Sequence, residues 1–248
     1  TDSGTAYARV VDKTLAGEKR QKMTVGDRTG FIKDRLAELH RRVRYTGLSF
    51  GEAAIITATP AAVLTHGYGD CKDKATTLVG WLRSAGIESY VALVESGGAL
   101  PFTKNPSRSA FDHAIVYIPG PQPLWIDATM PFLPLGEIPT NLQGTKARVA
   151  KVDSQGLVDI PVAPMAHNLY REHRLLEMVD FGAAKLTERS VADGVLAADI
   201  RSTFPTERSE QQERLKYYSK REYGREMSSF QTKGFGDLSV RPEIVLKG

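Results

Sequence analysis

The chain has 248 residues, 41% of them hydrophobic, which is enough for one large domain or two small ones with a real core. Its 33 basic and 29 acidic residues leave a net charge of only +4, and the basic residues are scattered, so the charge pattern gives no reason to expect nucleic acid as a partner. No stretch approaches the ~18–20 continuous apolar residues that cross a bilayer, and the single cysteine, Cys71, excludes an intramolecular disulfide. The chain begins at Thr1 rather than Met, as an excised or processed protein would, so a targeting segment or an N-terminal domain is expected outside it.

Residues 29–44 follow the turn-prone Gly26-Asp27 and space Phe31, Leu36, Leu39 and Val43 at roughly helical intervals, which predicts a helix with Arg41, Arg42 and Arg44 on its solvated side. Pro60 can open a short helical turn through Ala61, Ala62, Val63 and Leu64. The run Gly67-Tyr68-Gly69-Asp70-Cys71-Lys72-Asp73-Lys74 then turns sharply into the clearest helix of the chain. There Ala75, Leu78, Val79, Leu82 and Ala85 make one apolar stripe, and Gly86 is placed to end it. Tyr90 to Val94 reads as a buried strand, and residues 95–110 as a long loop expected to border a functional cleft. Residues 111–118 and 123–127 are two apolar runs around Pro119-Gly120-Pro121-Gln122, which predicts a hairpin.

Pro131, Pro134 and Pro139 punctuate the next crossing, and a short strand is expected near residues 147–152. The composition changes after about Pro161. Residues 170–179, 185–191 and 195–204 predict successive strands, and residues 207–223 predict a charged helix. Residues 238–246 predict a last strand, which Pro242 would confine to a sheet edge. The expected organisation is a domain over residues 1–160 and a small β-rich unit with one helix over residues 161–248.

With Asp70 as N-cap, Cys71 becomes the first helical residue. Its thiol then lies over unsatisfied amides at the positive end of the helix dipole, an environment that favours thiolate. A hairpin centred on Gly120 places His113 opposite Asp127, Ile115 opposite Trp125 and Tyr117 opposite Pro123, with Cβ atoms ~4.5–5.5 Å apart. A one-residue slip would send His113 and Asp127 to opposite faces. A thiol, an imidazole and a carboxylate in this order suit nucleophilic acyl chemistry, with His113 as base and Asp127 fixing its tautomer.

The backbone N–H of Cys71 is one natural oxyanion donor, and Tyr45 is a candidate second. Asp70 beside the thiol and Trp125 beneath the hairpin are further candidates for contact with oxyanion or substrate. His66, five residues before Cys71, is an alternative base without an evident partner; His40, His167 and His173 lack a matching carboxylate context. The scattered histidines and one cysteine show no metal-ligand spacing, Asp70, Asp73 and Asp112 would hold calcium only if folded together, and no cofactor is called for.

Gly-Asp-Cys-Lys-Asp-Lys-Ala ahead of a leucine-containing helix, then Phe-Asp-His, then Trp-Ile-Asp-Ala-Thr and a proline-punctuated crossing, resembles the bacterial branch of the transglutaminase-like superfamily. The resemblance covers roughly residues 31–152. Residues 43–51 are similar to the approach to the nucleophile in large bacterial proteins with flanking β-rich domains, and the part after Pro161 resembles the β-rich region that follows there. It implies an α+β fold with a papain-like transglutaminase core, its nucleophile helix packed on an antiparallel sheet, with Cys71 as nucleophile, His113 as base and Asp127 as orienter.

The longer Trp-containing nucleophile motif of the calcium-regulated animal enzymes is absent, so their calcium dependence and glutamine specificity do not carry over. Members of this branch are often exported, which implies the periplasm or cell surface. The activity implied is cysteine-dependent acyl transfer on protein or peptide amides through a thioester, giving transamidation or deamidation. A cysteine peptidase with the same triad and a non-catalytic binding or assembly module are the alternatives.

Overall fold

A computed structural model describes residues 3–17, 27–47, 56–97, 111–152, 154, 156–178, 180–182 and 184–248. The chain is α+β and divides into two compact units, residues 1–131 with 138–162, and residues 132–137 with 163–248.

The first unit begins with helix α1, Ser3–Leu15, which the sequence pattern did not suggest. Helix α2, Arg28–Arg42, starts where Asp27 accepts a hydrogen bond from the Gly30 amide, and it buries Ile32, Leu36 and Leu39 on one stripe. The two-residue strand β1, Arg44–Tyr45, helix α3, Pro60–His66, and the two-residue strand β2, Tyr68–Gly69, lead to helix α4, Cys71–Ser84. Strands β1 and β2 pair in parallel, Arg44 with Tyr68 and Tyr45 with Gly69, which brings Tyr45 alongside the chain just ahead of Cys71.

Two reciprocal hydrogen bonds fix the start of α4. The Asp73 amide donates to the Asp70 carboxylate at 3.2 Å, and the Asp70 amide donates to the Asp73 carboxylate at 3.3 Å. Its end is a Schellman turn: the amides of Gly86 and Ile87 donate to the carbonyls of Arg83 and Leu82, with Gly86 at φ 79°. Between these ends Ala75, Leu78, Val79 and Leu82 are fully buried, and each of the larger side chains contributes about 1.5–3 kcal/mol.

Strands β3, Tyr90–Val94, β4, His113–Ile118, β5, Leu124–Ile126, β6, Lys146–Val149, and β7, Val158–Asp159, form one antiparallel sheet in the order β5-β4-β3-β6-β7. Helix α4 lies against β3 and β4, and α1, α2 and α3 pack on α4. Alternation along the strands gathers Ala92, Val94, Ile115, Trp125, Ala147 and Val149 into one buried cluster with Leu142 and Ile160.

The hairpin register differs from the expected one: Tyr117 pairs with Trp125 rather than Pro123, and Ile118 pairs with Leu124. Pro123 has no N–H to give to a ladder, so the strand begins after it and the loop lengthens. The shift is two residues, the strand period, so His113 and Asp127 keep a common side and become diagonal rather than direct neighbours. The long loop expected beside the cleft lies outside the described residues from position 98 to 110.

The second unit carries strands β8, Tyr170–Glu177, and β9, Lys185–Ala192, helices α5, Val195–Thr203, and α6, Arg208–Tyr223, and strands β10, Ser229–Lys233, and β11, Glu243–Lys247. Its antiparallel sheet runs β10-β11-β9-β8. A core of Phe204, Leu215, Met227, Phe235, Ile244 and Leu246 is buried within it.

Residues 195–203 are helical, where the apolar content predicted a strand. Val195, Ala197, Ala198 and Arg201 are buried while Asp199 is exposed, a spacing that fits one helix face and not alternation. Arg201 then donates from its buried guanidinium to the carbonyls of Gly234, Asp237 and Val240. The last strand is central rather than an edge, because Pro242 stands just before it and only its carbonyl is used, by the Ala192 amide. The polar strand β10 takes the edge.

Candidate active site

The site is built where the N-terminus of α4 meets the start of β4. Gly69 lets the chain pass close to the helix it is about to enter: a Cβ there would stand 2.9 Å from that of Asp73. Asp70 and Asp73 hold each other's amides, the Lys72 ammonium donates to Asp70, and Thr57 and Ala58 donate to Asp73 at 3.2 and 2.8 Å. Cys71 is thereby fixed as the first residue of α4, partly exposed while the residues on either side of it are buried.

His113 opens β4 and Asp127 follows directly after β5. The His113 Nε2–H donates to the Asp127 carboxylate at 2.8 Å. The other carboxylate oxygen of Asp127 accepts from the backbone N–H and the hydroxyl of Thr129, at 2.9 and 2.7 Å. Burial opposes charge on His113, but hydrogen bonds to Asp127 and to the side chain of Cys71 outweigh it and carry the imidazole up to about 10. Burial would likewise raise Asp127, yet the bonds from His113 and Thr129 hold it below the usual carboxylate range. The structure therefore joins His113 to Asp127 by a hydrogen bond, and both Asp127 and the Cys71 side chain favour the charged imidazolium at neutral pH.

Two groups lie behind this chain. Lys74, buried three residues after Cys71, donates from Nζ to the carbonyl of Val43 at 2.7 Å and so ties α4 to the segment that carries Tyr45. Burial lowers it to about 8, against the pull of Asp127. His40 on α2 has both ring nitrogens shielded and unpartnered; burial, then the charge of Lys74, lowers it to about 4, so it is neutral at pH 7.

The remaining sequence candidates separate clearly. Tyr45 stands at the site, 50% exposed, its phenol raised by burial and then by the charges of Cys71, Asp70 and Asp127. Asp70 serves as helix cap and ion-pair partner of Lys72, so its carboxylate is committed to holding the turn. Trp125 is 2% exposed and packs on Tyr117 with ring centroids 4.7 Å apart, which makes it core rather than a wall open to substrate. His66 stacks on Tyr68, and His167 pairs with Glu137 at 2.6 Å within the second unit. Asp112 is taken up by Ser96, which donates to it through both amide and hydroxyl. Among the described residues no three His, Cys, Asp or Glu side chains gather as metal ligands would, and no helix is long and apolar enough to cross a membrane.

Sequence reasoning missed Thr129, Lys74 and the reciprocal role of Asp73. The Asp127-x-Thr129 spacing is that of a side-chain turn, and Asp70-x-x-Asp73 is a variant of the capping box, so both carried a readable signal. Lys74 carried none, since a lysine in a charged run reads as solvated.

No protein-family model and no curated protein matches the chain. Among solved structures, a Parabacteroides distasonis protein described as a "putative protease" is similar in fold, with a TM-score of 0.50 and 12% sequence identity over 98% of this chain. The present chain spans about half of that protein, 52% of its length.

Proposed function

We propose that Cys71, His113 and Asp127 form a cysteine triad that attacks a peptide or protein amide through a thioester, in a papain-like core of the transglutaminase-like type. The observation that carries this reading is the 2.8 Å hydrogen bond between His113 and Asp127, with the Cys71 side chain near enough to favour the charged imidazolium. Asp127 orients the ring and compensates its charge, and the imidazolium pairs with the sulfur as thiolate. The thiolate attacks the carbonyl carbon, and the imidazolium then gives its proton to the departing amine. Neutral His113 is left to take a proton from the acceptor that resolves the thioester.

Water is the acceptor we favour, because the similar Parabacteroides distasonis protein is described as a protease. Transamidation shares the first half of this sequence and differs only in presenting an amine to the thioester. Incubation with a denatured protein mixture plus a primary amine, read by mass spectrometry, separates the two. Cleavage products from the wild type and none from Cys71→Ala are expected. Amine adducts without cleavage would overturn the hydrolytic half. Equal cleavage by Cys71→Ala would overturn the triad, and neither cleavage nor amine adducts from the wild type would favour a binding or assembly role.

A further inference from the structure

The sheet of the second unit gathers charge at one end of its outer face. Directly opposite residues on paired strands share a face, so the register sets Arg171 of β8, Val191 of β9, Glu243 of β11 and Lys233 of β10 in one row across all four strands. Arg189, two residues before Val191 on β9, shares that face. The alternate residues Ile244 and Leu246 point the other way, into the core. Of the row only Val191, 8% exposed, is buried.

The connection from β10 to β11 turns the row into a cleft. Buried Arg201 donates to the carbonyls of Gly234 at 3.0 Å and of Val240 at 2.6 Å, which pins both ends of the connection. Gly234 has φ 73°, and a Cβ there would stand 2.5 Å from the Arg241 carbonyl oxygen, so the two ends meet with no side chain between them. The chain at Arg241 is thereby held against the end of β10, next to Lys233. With Val191 as floor and Val240 as wall, the cleft measures about 360 Å³, the size of a small-molecule site.

Its charge selects what it takes. Asp193 accepts from two arginines, Arg171 at 2.7 Å and Arg241. Glu243 is held by both ends of the Arg189 fork, at 3.0 and 2.8 Å, and Lys233 opposite it makes no ion pair among the described residues. Four cations against two carboxylates leave two positive charges at one cleft. Arg171 and Arg241 also keep guanidinium N–H groups that no hydrogen bond among the described residues uses. A phosphate monoester carries about −1.5 to −2 charges at pH 7 and three acceptor oxygens, which matches both the charge and the donors; a carboxylate carries about half that charge.

We propose that this cleft is a phosphate-binding site, in which Lys233, Arg171 and Arg241 hold a phosphoryl group and Val191 and Val240 offer apolar surface to a carbon skeleton bearing it. No residue of the triad takes part, so the site stands or falls independently of the thioester reading.

The test is an NMR titration of the full chain at constant ionic strength, with inorganic phosphate and glycerol 3-phosphate as probes and chloride as the control anion. Saturable shifts of the Lys233, Val240 and Arg241 amides are expected with a phosphate probe, half-saturating at about 1 mM or below, and none with chloride. Equal half-saturation by the two probes would support the site with free phosphate as its ligand; tighter binding of glycerol 3-phosphate would support it with a phosphate ester. Lys233→Ala, on an exposed edge strand, should keep the wild-type melting temperature and weaken binding about 10-fold. Lys247→Ala removes the same charge from the same sheet face at the far end of β11 and should leave binding unchanged. Equal weakening by the two variants would overturn the proposal in favour of diffuse attraction, as a face for an extended polyanion would show. The same shifts with chloride, or no saturation by either phosphate, would overturn it outright.

Discussion

Each unit buries a carboxylate among hydrogen-bond donors, and the two are put to different use. In the second unit Glu188, 1% exposed, accepts from Ser190, Tyr218 and Tyr223, with Arg174 3.6 Å away. Burial, reinforced by neighbouring Glu172, raises it against the opposing pull of the Ser190 and Tyr218 hydroxyls and of Arg174. In the first unit Asp127 is held below its usual range against burial by hydrogen bonds from His113, a cation, and from Thr129, and His113 is itself raised by Asp127 and by Cys71, a partly exposed thiol. The contrast shows that burial of a charge does not by itself mark a site. What marks it, on the function proposed above, is coupling of the carboxylate through an imidazole to a reactive atom open to a substrate.

The largest effect that tests this contrast is expected from Asp127→Asn. The amide keeps the shape but not the charge, so kcat on any cleaved substrate should fall by up to about 10⁴-fold. The same variant carries a pH signature. His113 is raised from 6.5 to about 10, so the stability it contributes is fully present below about pH 6.5 and is lost as pH rises through about 10. Thermal melts should show the wild type losing stability across that window and Asp127→Asn doing so much less. A smaller and different effect is expected from Glu188→Ala. The hydroxyls of Ser190, Tyr218 and Tyr223 lose their acceptor, which should cost about 1–3 kcal/mol of stability, seen as a lower melting temperature. Iodoacetamide labelling of Cys71 should keep its wild-type rate at temperatures where that variant is folded. A large loss of thiol reactivity there would break the distinction between the two carboxylates.

Much of the site is legible in the sequence because its parts are local. Gly69 to Lys74 specify a capped helix start by themselves, and the alternation of β4 and β5 puts His113 and Asp127 on one side whichever of the two registers the loop selects. The register itself was misread because Pro123 was counted inside the strand. Residues 195–203 were misread because Val, Leu and Ile suit either element when a run is short, and the pair Ala197-Ala198 was the overlooked helical cue. Lys74 could not be read at all. Its place beside the site comes from packing the Val43 segment on α4, a tertiary fact with no trace in local spacing.

The most direct test of the central claim is the rate of iodoacetamide labelling of Cys71 as a function of pH, in the wild type and in His113→Ala. A thiol paired with an imidazolium should label rapidly on the acid side of neutrality in the wild type and lose that reactivity in the variant. Slow labelling with the same pH profile in both proteins would contradict the triad.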